Sequence, residues 1–294
     1  MTSLQRILTT LLLILNLVSV ALADKYLVVF GPEATSQMIT LARCAQAMLE
    51  RDHEVTLLAA EAFEETIRTF MPDNKPYALE TFPSSVNLDV FRNFSSTMSG
   101  FAMKGSYFQM AMYGSKRFPE VLTTVGDDLL KDTSLIKRLE DHGFDLVLVH
   151  AMFAYPMLVA QRLNVKCVAI TPAIPPSMHI RLFGSPVNPA YSPELMTAFT
   201  NRMTFLQRVK NTLFSGMQWM LADMANKGLD ELKKKYNIRP ELSTLHSLSE
   251  AELWFIVSDF TLDFPRPYQP NTVSVGGITA KPANPLPQVG IYIH

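Results

Sequence analysis

The residues that could do chemistry are few and scattered. Of six histidines, His53, His142, His179 and His246 fall in predicted loops, helix ends or a strand entry, and none forms a metal-binding spacing such as His-Glu-x-x-His. His150 differs, because it follows the apolar run Leu146-Val147-Leu148-Val149. A histidine at a strand end facing a polar cleft could serve as a proton acceptor near neutrality. Cys44 and Cys167 are too few for a disulfide framework or a four-ligand zinc site, and both read as buried thiols. No metal site is expected. Lys233-Lys234-Lys235 reads as a solvated helix end. With 26 Lys+Arg against 27 Asp+Glu, the chain has no basic footprint for nucleic acid.

The elements that must hold these groups alternate between strand and helix patterns. Lys25 to Phe30 is an apolar run ending at Gly31-Pro32, and from Gln37 to Arg51 apolar residues recur at helical spacing, with Thr35 or Ser36 available as a cap. Glu54 to Ala59 is a second strand, which completes a β-α-β unit. Asp145 to Val149, Ala154 to Leu163 and Lys166 to Ile170 repeat the pattern. This grammar predicts an α/β fold, a Rossmann-like and mostly parallel sheet with helices on both faces. Asn201 to Lys235 reads as a long helix or helix pair, followed by a strand at Leu253 to Val257. The last thirty residues, rich in proline from Pro265 to Pro287, read as an extended linker.

Leu88 to Glu140 reads as helices crowded with aromatic and Met residues. The plain reading is core packing. The functional one is a deformable apolar pocket, with Phe91, Phe94, Met98, Tyr107, Phe108, Met110 and Met112 as the candidate ligand-binding set.

Residues 1–23 pair a basic start with an apolar run and end on Ala21-Leu22-Ala23. About 15 apolar residues fall short of the ~20 a membrane span requires. The segment therefore reads as a cleaved secretory signal, with no later stretch of spanning length, and in that compartment Asn93-Phe94-Ser95 is a usable glycosylation sequon.

Several blocks carry a family likeness. Asn201-Arg202-Met203-Thr204-Phe205-Leu206-Gln207-Arg208-Val209-Lys210-Asn211, Phe144 to Val149, Asp52-His53-Glu54-Val55 and the run from Leu253 to Gly277 with Asp263-Phe264-Pro265-Arg266-Pro267 resemble UDP-glycosyltransferases. The glucuronosyl and ceramide galactosyl branches are the nearest in pattern, the latter through Lys281 to Pro287. The resemblance implies the N-terminal, acceptor-binding domain of a two-domain GT-B glycosyltransferase over 24–280, then a Pro-rich interdomain tail over 281–294. It implies that the UDP-sugar half, with its membrane anchor, is missing. A UDP-sugar donor is expected only if that half is present, and no other cofactor is expected.

The family also implies a helix-start His as base toward the acceptor hydroxyl and a strand-end Asp as its partner. Counting along the chain puts Gln37 at the first position and His150 at the second. Gln37 can hydrogen-bond an acceptor but cannot deprotonate it. Two expectations follow. One is a hexosyl or glucuronosyl transferase acting on lipophilic acceptors in the endoplasmic reticulum lumen. The other is a non-catalytic acceptor-domain protein that binds lipophilic ligands or pairs, as a homo- or hetero-oligomer, with a full-length relative.

Overall fold

A computed structural model describes residues 24–280 apart from 33–34, 72–73, 152–153, 172–175, 195–196 and 262. The expected signal segment and the tail over 281–294 lie outside the described residues. Seven strands form one sheet in the order β3-β2-β1-β4-β5-β6-β7. They are β1 (Lys25–Val29), β2 (Glu54–Ala60), β3 (Ala78–Phe82), β4 (Leu146–His150), β5 (Cys167–Thr171), β6 (Leu253–Ile256) and β7 (Thr272–Ser274). Every pairing is parallel, with Val28 opposite Leu57 on one side and Leu148 on the other. The sheet is thus wholly parallel rather than mostly so. β4 and β5 read as unbroken apolar runs because both of their faces are buried.

The helices are α1 (Thr35–Leu49), α2 (Glu64–Arg68), α3 (Leu88–Met103), α4 (Tyr107–Lys131), α5 (Thr133–His142), α6 (Tyr155–Leu163), α7 (Ser177–Leu182), α8 (Phe205–Lys235) and α9 (Thr244–Ser247). Their ends follow local chemistry. Asn87 Oδ1 caps α3 by accepting from the amides of Asp89 and Val90. Gly143, at φ 70°, closes α5 in the left-handed region that glycine enters without strain. Thr204 and Gln207 form a reciprocal capping box that starts α8. Among the described residues, no helix is long and apolar enough to cross a membrane.

Three sequence expectations need correction. The Pro-rich run is not linker throughout, since Thr272–Ser274 adds the seventh strand beside β6. Its three residues are too few to show an alternating pattern. Lys233 is not part of a solvated end: it is buried, and its ammonium donates to Gln161 Oε1 (3.0 Å) and Ser247 Oγ (2.7 Å), tying α8 to α6 and α9. The core reading of the Met- and aromatic-rich stretch holds only in part: no residue of α3 is buried, although Phe91 and Phe118 pack against the core and the later turns of α4 enter it at Val121, Leu122, Val125 and Leu129. Elsewhere the two helices stack on each other, with Phe94 between Tyr113 (5.9 Å) and Phe118 (6.0 Å).

Candidate functional site

The chain leaves β1 toward β2 and leaves β4 toward β5, in opposite directions across the sheet. Such a switch point opens a crevice outside the carboxyl ends of the two strands, where ligands of doubly wound folds bind. Here the floor is pinned from above and the side. The Phe30 amide donates to Leu58 O (2.9 Å), and its carbonyl accepts the buried Tyr155 hydroxyl from α6 (2.8 Å). Gly31 and Pro32 are buried beyond it.

Gln37 sits in the first turn of α1, half-buried, where the helix dipole presents its positive end. His150 is the last residue of β4. Gln37 and His150 therefore both lie at the carboxyl edge of the adjacent strands β1 and β4. Their electrostatics differ from the sequence expectation. His150 does not face an open polar cleft: its exposure is 0%. Burial, with a smaller contribution from His179, pushes its imidazole down to about 3. His179 on α7 is buried as well and is pushed down to about 4 by loss of solvent. Its ring lies 6.5 Å from Phe183 and 6.4 Å from Trp254. Both imidazoles are neutral near pH 7. At that pH His150 can hydrogen-bond as a neutral ring, but it is not cationic and does not supply the negative charge that would steady an imidazolium.

His179 was not singled out by the sequence. Its signal is only the alternation of Ile180, Leu182 and Phe183 around it, which marks burial and not a partner. The other described histidines are peripheral. His53 meets Tyr26 edge-on at 5.0 Å, and His142 ends α5 against Phe144 at 4.5 Å.

Of the ligand-binding set, Phe91 on α3 meets Phe63 edge-on at 6.2 Å, and Met98 lies across Gly114 of α4. Met110 is half-buried and Met112 is exposed. The side chains of Tyr107 and Phe108 lie outside the described residues. Asn93 is exposed, on a helix and not on a loop. A separate cavity of about 330 Å³ is lined by Cys44, Met48, Leu148, Val168 and Phe255 among others, and its walls include neither Gln37 nor His150.

The motif residues turn out to be braces. Asn211 is fully buried; its amide donates to Pro189 O (2.8 Å) and Ser192 O (2.9 Å) and accepts from the Glu194 amide (2.8 Å). Asp263 and Arg266 form an ion pair at 2.7 Å with both side chains buried.

The model of the family described as UDP-glucoronosyl and UDP-glucosyl transferase matches residues 24–291. Bos taurus UDP-glucuronosyltransferase 3A1 is 33% identical over 265 residues, covering 86% of this chain and 47% of the relative. Homo sapiens UDP-glucuronosyltransferase 1A1 is 30% identical, covering 87% and 48%. Homo sapiens 2-hydroxyacylsphingosine 1-beta-galactosyltransferase is 29% identical, covering 94% and 49%. The chain spans about half the length of the curated relatives it matches. Among solved structures, the glycotransferase of kitacinnamycin aligns at a TM-score of 0.49 and 11% identity, over 87% of this chain and 52% of that one. The family match over nearly all of the described residues, on a wholly parallel α/β sheet, means that this chain belongs to the UDP-glucoronosyl and UDP-glucosyl transferase family.

Proposed function

We propose that this chain is the acceptor-binding half of a GT-B glycosyltransferase that moves a hexosyl or glucuronosyl group from a UDP-sugar to a lipophilic acceptor. The acceptor lies in the crevice between β1 and β4, with Phe91, Phe94, Met98, Tyr107, Phe108, Met110 and Met112 as its apolar wall. The UDP-sugar is held by a second half, in the same polypeptide or in a full-length partner. Residues 1–23 act as a cleaved signal, which places the domain in the secretory pathway and makes Asn93 available for glycosylation.

Within that reading, Gln37 and His150 make this half a poor deprotonator of hydroxyls. One observation carries this: His150 is fully buried with its imidazole held near 3, and the helix-start position that needs a base is Gln37. The position that should orient a base is neutral, and the position that should be the base is an amide, which cannot accept a proton near neutrality. That favours the non-catalytic, ligand-binding role for hydroxyl acceptors. Amines, which carry a free lone pair, need no such base.

The test joins the chain to the second half of a relative and measures transfer to a phenol and to an aryl amine. Loss of a positioned base costs about 10²–10⁴-fold, so the unmodified chimera should be slow toward the phenol. Gln37→His alone should recover little, because its imidazolium would face a neutral ring. Gln37→His with His150→Asp should recover most of the loss, beyond the product of the single effects. Amine transfer should change far less. A chimera that glycosylates phenols as fast as the double variant overturns these roles for Gln37 and His150.

A further inference from the structure

The sheet is covered unevenly on its two faces. On β6, Trp254 and Ile256 point to one face and are fully buried, whereas Leu253 on the other face is 37% exposed and Phe255 is half-buried. The register carries this difference to the edge of the sheet, since Phe255 stands beside Val273 of β7, which is 40% exposed. On the less covered face, Cys44 and Met48 of α1 form one wall of the cavity of about 330 Å³, and Leu146, Leu148, Val168, Leu253 and Phe255 form the other. A parallel sheet is normally buried on both faces. Beyond α1, this face is left open at Leu253 and Val273.

The groove has a defined mouth. Tyr26, Leu146 and Leu253 lie at the starts of their strands, and Arg51 and His53 follow the end of α1; all five are in its walls. It therefore opens at the amino edge of the sheet, away from Gln37 and His150 at the carboxyl edge.

The course of the chain indicates what fills it. After β7 the backbone turns back over this face: the Ile278 amide donates to Val275 O (3.3 Å), and Ile278 lines the groove. Thr279 shares a neighbouring cavity with Ile39 and Arg43 in the first half of α1. From Ile39 to the mouth at Arg51 is about 18 Å at the helical rise per residue. The stretch that follows, Lys281 to Gln288, carries Pro282, Pro285 and Pro287. Such a stretch favours the extended polyproline form and covers about 25 Å. That length brings the next residues, Val289-Gly290-Ile291-Tyr292-Ile293, to the mouth. They are uncharged and rich in branched apolar side chains, which suits walls that are almost wholly apolar. A second copy fits less well, because a concave groove cannot fill its own counterpart across a twofold axis. Residues 1–23 join β1 at the same edge but are read as removed from the mature chain, which leaves the tail.

We propose that Val289 to Ile293 folds back into this groove and completes the cover of the sheet, with Lys281 to Gln288 running along α1 to bring it there. The Pro-rich stretch is then a strap held to the domain. This docking stands apart from the transferase reading and does not depend on it.

The test uses the full chain with cysteines added. The natural Cys44 and Cys167 stay silent, being 5% and 4% exposed with thiols pushed up to about 12 by burial. Maleimide should label Leu253→Cys about tenfold more slowly than Leu206→Cys on the exposed side of α8, because the seated tail must open first. Ile291→Asp with Ile293→Asp should remove most of that protection. On mild oxidation, Leu253→Cys with Ile291→Cys should close a disulfide within one chain, and Leu206→Cys with Ile291→Cys should not. The proposal is overturned if Leu253→Cys labels as fast as Leu206→Cys, or if the Leu253→Cys, Ile291→Cys pair fails to close within one chain. A disulfide between chains would assign the groove to a second copy instead. Protection that survives the two aspartates also overturns it, and would assign the groove to residues 1–23 if they are still on the chain.

Discussion

The sheet with its crevice and the outer layer of α3, α4 and α8 distribute side chains in opposite ways. In and around the sheet, polar groups are sealed inside: His150 at the switch point, His179 on α7, Lys233 at the other end of the fold between α6 and α9, and the Asp263–Arg266 pair after β6 in the chain. In the outer layer, apolar groups are turned outward: Met103 at the α3–α4 corner, Phe205 and Leu213 on α8. A buried polar group costs its desolvation unless a partner offsets it, so the surrounding structure must specify it and its removal is expensive. An exposed apolar group contributes little to folding, so it is free to serve contacts made with something else. If this contrast is right, substitutions in the first region read out as stability and those in the second as binding.

The largest break should come from the ion pair. Asp263 Oδ1 accepts from Arg266 Nη2 (2.7 Å) and from the Phe264 amide (2.7 Å), with the two side chains 1% and 4% exposed. Asp263→Asn leaves the guanidinium buried without its counter-charge. A loss of about 3–5 kcal/mol is expected in denaturant unfolding. Replacing both residues with apolar ones of similar volume should cost far less, because neither charge is then left alone. A small effect from the single substitution would mean that this region tolerates unpaired charge, and the contrast would fail.

The histidine pair sharpens the same side of the comparison through pH. His150 is held near 3 and His179 near 4 by burial, against about 6.5 in the unfolded chain. The unfolded state therefore binds more protons below pH 6.5, and stability rises with pH from about 3 (His150) or 4 (His179) to 6.5 and levels off above. By pH 5 each histidine should have removed about 2 kcal/mol. Unfolding measured at pH 7.5 and pH 5 should show the sum, and His179→Phe should remove about half of the difference. An unchanged pH dependence in that variant would show that His179 titrates normally.

These two regions also mark where sequence reading succeeds and where it stops. The β1–α1–β2 unit and β4 were legible because a strand buried on both faces must be apolar throughout, as Leu146 to Val149 is. The order of elements sufficed to place Gln37 in the first turn after β1 and His150 at the end of β4. The state of His150 was not, since burial is a property of what packs over it, here His179 on a six-residue helix with no periodic signal. Lys233 shows the same limit. Three lysines in a row look alike in sequence, and only the arrival of Gln161 and Ser247 singles out the first. In the family-bearing stretch Asn201 to Asn211, Thr204, Gln207 and Asn211 cap and brace α8. Motifs that identify a family need not touch its substrate.

The smallest effects test the comparison within a single helix. α8 carries both regimes, so its two ends share propensity, length and solvent and differ only in what covers them. At the anchored end, a Cβ on Gly228 would stand 2.3 Å from Thr123 Oγ1, with Cγ2 and Cβ of the same residue at 3.2 and 3.3 Å. A rotamer change cannot clear all three atoms, so α4 and α8 must separate, which loosens Leu229 and Leu232 as well. Gly228→Ala should therefore cost about 1–3 kcal/mol, against the gain in helix propensity. At the other end Leu213 is 69% exposed, and Leu213→Ser should change stability by no more than about 0.5 kcal/mol. Thermal and denaturant unfolding of the two variants side by side checks both numbers. A destabilising Leu213→Ser would show that this end is already covered within the fold, and it would then be core and not a contact surface.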